Sequence, residues 1–421
     1  MNIMLISPPA LGLHDKIAYP PLGLMYLASN LDNLEGKHSI KIANMLTFEE
    51  CIDYTCDLYG ISIHSPASFT SAKQIIERIR EHNKEALIIV GGAFPTSMYQ
   101  FVKESLKVDI VVCGEGEKTF NFIVKCYEIG RTDKNAWRLQ MTLIENLDDI
   151  KFPARHLLPY EMIRYEGNVH HTSEPATTIL ATRGCPYICN FCDTTMWKRK
   201  YRTRSPENIA QEIEQVRKDY KINWFRFPDD CLTINKEWFN KFCQRIKELK
   251  IKWTMLSRAD TINIEQLELA KTSGCQEVFF GIESGSQRIL DLMNKKITVE
   301  QNAKAIQLCK EVGIKSCVYM MFGFPGENEE SVYETIKFLK KTQPDKSRIH
   351  QFLPIPNTQV CNNQAKYGIK VKNNFDDYWD FLDNPNLTLD YDYIGNDKIF
   401  ALREIMKQFY IDSGYKDNLY V

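Results

Sequence analysis

No stretch of the 421-residue sequence approaches the ~18 consecutive apolar residues that span a bilayer. The longest uninterrupted apolar runs, such as Cys317-Val318-Tyr319-Met320-Met321-Phe322, are strand-sized. Charge of one sign is not in excess either. Lys and Arg number 53 against 54 Asp and Glu, a net charge of −1 that gives no general field for nucleic acid or an anionic membrane. The N-terminus lacks a basic stretch and breaks at Pro8-Pro9, so no signal peptide is expected. Sequence repeats and low-complexity tracts are missing. The 13 cysteines are odd in number and scattered, which argues against a secreted disulfide scaffold and for a cytoplasmic protein with reduced thiols. What remains, 44% apolar and 25% charged, is ordinary for a globular chain long enough for two or three domains.

Strand-like and helix-like segments alternate from the start. Ile3–Ser7, Leu58–His64, Ala86–Val90 and Val108–Cys113 read as strands, and Leu22–Leu34 and Ser71–His82 as helices. That rhythm predicts an open parallel sheet over 1–135, with ligands bound at the carboxyl ends of its strands. Residues 136–175 lose the pattern and read as a linker. A second alternation over 176–355 places strands at Thr177–Thr182, Trp224–Pro228, Lys252–Leu256, Glu277–Ile282, Ser316–Phe322 and Arg348–Leu353. Ser205-Pro206 opens one intervening helix, Thr298-Val299-Glu300-Gln301 forms a capping box on another, and Gly313 is placed to end it. Six strand–helix units predict a partial (β/α)6 barrel whose active residues lie at the carboxyl ends of the strands. A small, mainly helical segment fills 356–421, with an acidic, aromatic stretch at Asp376-Asp377-Tyr378-Trp379 before a helix near Asp397–Phe409. The fold class is therefore α/β, an open parallel sheet and a partial barrel followed by the small, mainly helical segment.

Cys185, Cys189 and Cys192 fall within eight positions just after the first barrel strand, in Arg183-Gly184-Cys185-Pro186-Tyr187-Ile188-Cys189-Asn190-Phe191-Cys192. Three thiolates this close suit a soft metal site. On a four-iron cubane they leave one iron open, as a catalytic centre needs. A structural zinc site is the alternative, but neither a second Cys-x-x-Cys nor a His pair follows to complete it. Other strand ends carry polar residues: Asp229-Asp230, Ser257-Arg258, Gly281-Ile282-Glu283-Ser284 and Gly323-Phe324-Pro325-Gly326-Glu327. Each could equally be an ordinary cap or turn. The basic run Lys198–Arg204 reads either as a solvated face with one arginine turned inward or as a docking patch for an acidic electron donor.

The Cys-x-x-x-Cys-x-aromatic-Cys spacing closely resembles the radical S-adenosylmethionine (SAM) superfamily. That resemblance implies a 4Fe-4S cluster whose open iron binds SAM, and a 5′-deoxyadenosyl radical released by one electron from the cluster. It implies that Phe191 meets the adenine, Asp229 and Asp230 hold the methionine amino group, and Arg258 pairs the carboxylate. Glu283 would take the ribose hydroxyls, and Gly323 would let backbone approach the adenine. In the N-terminal sheet, Ser62-Ile63-His64 with Gly91-Gly92 is similar to the Ser-x-Leu…Gly-Gly pattern of cobalamin-binding domains, with His64 in the leucine slot. Tyr19-Pro20-Pro21-Leu22-Gly23 and Gly114-Glu115-Gly116-Glu117 resemble segments of cobalamin-binding radical enzymes. Ser62, His64, Gly91, Gly92, Gly114 and Glu115 are the implied cobalamin contacts.

The chain departs from that pattern in one respect. The Asp-x-His-x-x-Gly motif that supplies a lower cobalt ligand is absent, and His14-Asp15 lies in the corresponding loop without its spacing. Cobalt without a protein imidazole is the expectation. The family then implies methyl transfer to an unactivated carbon or to phosphorus. Alternatives are a cobalamin-dependent rearrangement, cyclisation or oxidation, a methylthiotransferase, or a non-catalytic sensor. Against methylthiolation, Cys51, Cys56 and Cys113 do not sit at three strand ends. The expected partners are a small-molecule or peptide substrate and an electron donor such as flavodoxin or ferredoxin.

Overall fold

The computed structural model describes residues 1–9, 20–31, 37–44, 52–130, 143–167, 172–372, 389–415 and 419–420. His14, Tyr19, Cys51 and the 376–379 stretch lie outside them. The chain divides into two compact units. One holds Met1–Thr178 together with Asp193–Arg202. The other holds Ile179–Cys192 and most of the chain from Thr203 onward.

The first unit begins with β1 (Asn2–Ser7), α1 (Leu22–Asn30), β2 (Ser39–Asn44), β3 (Leu58–Ser62) and α2 (Phe69–His82). It continues with β4 (Leu87–Gly91), α3 (Ala93–Ser97), α4 (Tyr99–Ser105), β5 (Ile110–Val112) and α5 (Glu117–Glu128). The strands form a parallel sheet in the order β2-β1-β3-β4-β5, with Ile3 opposite Leu58, Leu58 opposite Leu87 and Ile89 opposite Ile110. The apolar runs of β1, β3, β4 and β5 are buried, as a sheet covered on both faces demands. On α2, Ala72, Ile75, Ile76 and Ile79 recur at helical spacing and are all buried. The strand order reverses between β1 and β3, the point where sheets of this type open a crevice at their carboxyl edge. Gly60 in β3 has a packing reason: a Cβ there would stand 2.7 Å from the Leu5 side chain and 3.3 Å from the Phe120 ring. Edge strand β2 was not among the expected elements, because its residues are half exposed and carry no apolar run.

The linker also holds structure. It contains α6 (Tyr160–Ile163) and β6 (Tyr165–Gly167), and β6 pairs antiparallel with β7 (Thr172–Thr178). The strand expected at Thr177–Thr182 is therefore split between β7 and β8 (Thr182–Arg183). Between them the Ile179 N–H donates to Arg226 O at 3.0 Å.

Next come β9 (Arg202–Thr203), α7 (Pro206–Tyr220), β10 (Trp224–Phe227), α8 (Lys236–Lys247), β11 (Lys252–Ser257) and α9 (Ile264–Thr272). They are followed by β12 (Cys275–Glu283), α10 (Gln287–Leu292), α11 (Val299–Val312), β13 (Lys315–Phe322), α12 (Glu329–Thr342) and β14 (Lys346–Gln351). Strands β10 to β14 neighbour one another in chain order, all parallel, and curl as a half-barrel. The expected caps are present. Ser205 Oγ accepts from the Asn208 N–H ahead of Pro206, Thr298 and Gln301 form a reciprocal box, and Gly313 ends α11 at φ 75°. Phe227, Phe242 and Trp253 meet edge-on at 5.1 to 5.8 Å, fixing α8 against β10 and β11.

The C-terminal segment is more than helices. After α13 (Gln359–Asn362) and α14 (Gln364–Tyr367), β15 (Ile369–Val371) pairs antiparallel with β16 (Leu389–Tyr391). The 17-residue α15 (Asn396–Asp412) follows, and β17 (Leu419–Tyr420) adds parallel to β14. Among the described residues no helix is long and apolar enough to cross a membrane.

Candidate active site

The three-cysteine loop is held by its own backbone and by α10. Asn190 donates from its backbone N–H to Met293 O and from its side chain to Leu292 O, both at 2.8 Å. Its carbonyl accepts from the Val360 N–H, and the Asn294 side chain donates to Ile188 O at 2.9 Å. Cys185 and Cys189 are partly exposed, Cys192 is exposed, and none is in a disulfide. Burial pushes the Cys185 thiol up to about 11, so it is a poor thiolate unless a metal's charge stabilises it. Among the described residues no three His, Cys, Asp or Glu side chains converge closely enough to hold a single metal ion. The corners of a cubane, by contrast, lie on separate irons. A soft donor set on one anchored, accessible loop suits a four-iron cluster better than a closed zinc site.

The strand ends around this loop are polar, but most of their polar groups are engaged within the chain. Asp229 is fully buried, and its Oδ1 accepts from the Ala181 N–H at 3.0 Å, from the Thr182 hydroxyl at 2.7 Å and from the Thr182 N–H. Burial outweighs these bonds and raises its carboxyl to about 7. Asp229 thus ties the entry of the cysteine loop to β10 and does not reach outward. Asp230 beside it is solvent-accessible and accepts from the Gly184 N–H. Arg258 grips Asp260 with two bonds of 3.0 and 2.9 Å instead of standing open. Glu283 sits at φ 68° on a bulge of β12 and pairs with buried Lys295 at 3.2 Å. The Lys295 ammonium in turn lies 5.9 Å from the ring centre of Phe191. Gly323 adopts φ 78°, and its polar backbone groups are taken: its N–H donates to buried Glu327 and its carbonyl accepts from the Tyr391 hydroxyl at 2.6 Å. Burial lifts the Glu327 carboxyl to about 8. Glu327 closes the strand-end segment singled out from the sequence, whereas Lys295 and Tyr391 carried no local signal there.

In the first unit the carboxyl edge is built from small residues. Ser62 ends β3 half-exposed, and His64 beyond it is exposed. Gly92 has φ 111°, and a Cβ there would come within 2.6 Å of Ile63 O. Gly91 accepts from the Ile63 N–H at 2.8 Å. A residue not singled out from sequence, Thr96, joins the two glycine turns: its hydroxyl donates to Gly92 O at 2.7 Å and accepts from the Gly114 N–H at 2.9 Å. These bare backbone turns fit the tail of a bulky cofactor. Glu115 does not belong with them. Its carboxylate is buried and bound to Arg202 Nη1 and to the Ile144 N–H, both at 2.6 Å. Arg202 is an inward-turned member of the basic run, and buried Arg204, paired with Glu212, is a second. Lys198, Arg199 and Lys200 keep the solvated face.

Two family models match, the radical SAM superfamily over residues 179–339 and the B12 binding domain over 11–124. An uncharacterized methyltransferase of Pyrococcus horikoshii is 32% identical over 387 residues, covering 86% of this chain and 82% of that protein. The anaerobic magnesium-protoporphyrin IX monomethyl ester cyclase of Rubrivivax gelatinosus is 28% identical, covering 85% and 68%. Among solved structures, the radical SAM methyltransferase TsrM of Kitasatospora setae, with cobalamin and a 4Fe-4S cluster bound, matches with a TM-score of 0.73. That match covers 99% of this chain and 90% of the other at 15% identity, a likeness of fold. The implied cofactors are a 4Fe-4S cluster, SAM and cobalamin. With both domain models in one sequence and a relative this similar along most of its length, the chain belongs to the radical SAM superfamily and carries a B12-binding domain.

Proposed function

We propose that this protein is a cobalamin-dependent methyltransferase that acts on an unactivated carbon or on phosphorus. The observation behind it is the pairing of a B12-binding domain with a radical SAM domain in a chain 32% identical to a protein named as a methyltransferase. When bound, the cluster and SAM supply a radical able to remove hydrogen, and cobalamin supplies a methyl group that a carbon radical can accept. The residues of the chain bind and orient. Cys185, Cys189 and Cys192 would hold the cluster. Asp230 meets the methionine amino group, Phe191 the adenine, and Glu283, steadied by Lys295, the ribose hydroxyls. Asp229 acts through the loop it staples. Ser62, His64, Gly91, Gly92 and Gly114 would line the cobalamin channel. The substrate is a small molecule or peptide, and a low-potential donor such as flavodoxin or ferredoxin supplies the electron in a cytoplasmic setting.

SAM carrying a deuterated methyl group provides the test. With the true substrate, the product gains the intact labelled methyl, and S-adenosylhomocysteine and 5′-deoxyadenosine appear in equal amounts. The cyclase of Rubrivivax gelatinosus, at 28% identity, motivates a second reading, cyclisation or oxidation. It would give 5′-deoxyadenosine, no S-adenosylhomocysteine and a product of unchanged carbon count.

A further inference from the structure

We propose that Arg258 is a positioning residue that sets the reduction potential of the cluster through Cys189. Arg258 follows β11, and its guanidinium is fixed on nearly every side. Nε and Nη2 bind Asp260 at 3.0 and 2.9 Å, and Nη2 also donates to Lys295 O at 2.8 Å. The carbon at the centre of the fork stands 3.7 Å from the middle of the Tyr187 ring. The remaining nitrogen, Nη1, points at Cys189 Sγ from 3.8 Å. Tyr187 and Cys189 both belong to the cysteine loop, so the cation rests on one loop residue and is aimed at another.

A guanidinium clamped in this way is a permanent charge, since arginine does not deprotonate in proteins. Its side chain is 7% exposed, so solvent screens it little. The ion pair with Asp260 is oriented, with the positive end toward sulfur and the negative end away from it. Reducing the cluster would add one electron and no proton, which increases the negative charge spread over the thiolates. Hydrogen bonds and charges at the sulfurs are among the protein's main controls on cluster potential. Arg258 therefore stabilises the reduced form and eases electron transfer from a weak donor. This depends on a cluster at the three cysteines and is independent of methyl transfer.

The test is a paramagnetic-resonance redox titration of the full-length, anaerobically purified protein, without SAM or substrate, with iron per chain measured alongside. R258Q shifts the midpoint potential to more negative values, and R258K restores part of the shift. D260N leaves the cation and removes its opposing charge, so it shifts the potential the other way. A merely structural clamp would move R258Q and D260N in the same direction or leave both at the wild-type value, and either result overturns the proposal. Should R258Q fail to take up iron, D260N decides: an upward shift supports the assignment, and no shift or a downward one overturns it. A wild-type protein that holds no four-iron cluster would instead refute the choice of cysteines.

Discussion

The carboxyl edge of the N-terminal sheet presents glycine, small hydroxyls and bare backbone, whereas that of the half-barrel presents charge. Gly91, Gly92 and Gly114 make room, and Thr96 fixes their turns without any ion pair. In the half-barrel, Arg258 and Glu283 each already hold an opposite charge, and Asp229 holds three donors. A cofactor bound along its length by shape needs clearance. A small sulfonium nucleotide bound head-on needs oriented charge, and oriented charge away from water must be braced by the protein itself. The bracing residues are therefore as much part of the second site as the residues that touch ligand.

The most severe break in this contrast comes from replacing Cys185, Cys189 and Cys192 together by Ala. Iron content and 5′-deoxyadenosine release should fall to background while cobalamin uptake by the N-terminal sheet persists. Next is the buried pair of the first unit. Glu115→Gln or Arg202→Met strands the partner's charge, and chemical denaturation should show a loss of about 3–5 kcal/mol. The double substitution should lose much less than the two single losses combined.

Asp229→Ala removes the acceptor of three donors and should cost about 3 kcal/mol, with Asp229→Asn milder because it keeps a carbonyl oxygen. The pH dependence separates them further. The folded protein raises this carboxyl from 3.8 to about 7, so its protonated form is favoured by folding. The resulting stability is complete below 3.8 and is lost as pH rises through about 7. Unfolding measured at pH 5 and pH 8 should show a decline in the wild type that Asp229→Asn lacks at this site. The smallest effect belongs to Lys200→Ala, which breaks an exposed pair with Glu145. Its melting temperature should match the wild type within error.

Local patterns made much of this architecture legible. The cysteine loop is a contiguous motif, the buried strands are apolar runs, and the caps of α7 and α11 are written in adjacent residues. Strand β2 escaped because its signature is a short alternation, Ile40 and Ile42 with Lys41 between them, and not a continuous apolar run. The bracing contacts escaped for a different reason. Glu115 and Arg202 are 87 positions apart, and Gly323 and Tyr391 are 68 apart, so neither member announces the other. Sequence reading brought Asp229, Arg258 and Gly323 to the correct strand ends. It could not show that the chain itself already satisfies most of their hydrogen-bonding capacity.

The Asn190 anchor has a consequence for how such a protein is made. Many small metal sites order themselves only as the metal arrives, so binding has to overcome the entropy of an unstructured loop. Here the Asn190 backbone and side chain fasten the loop to the end of α10 through bonds that involve no thiol. The anchor and the iron therefore draw on different atoms of the loop, so assembling the cluster breaks none of these bonds.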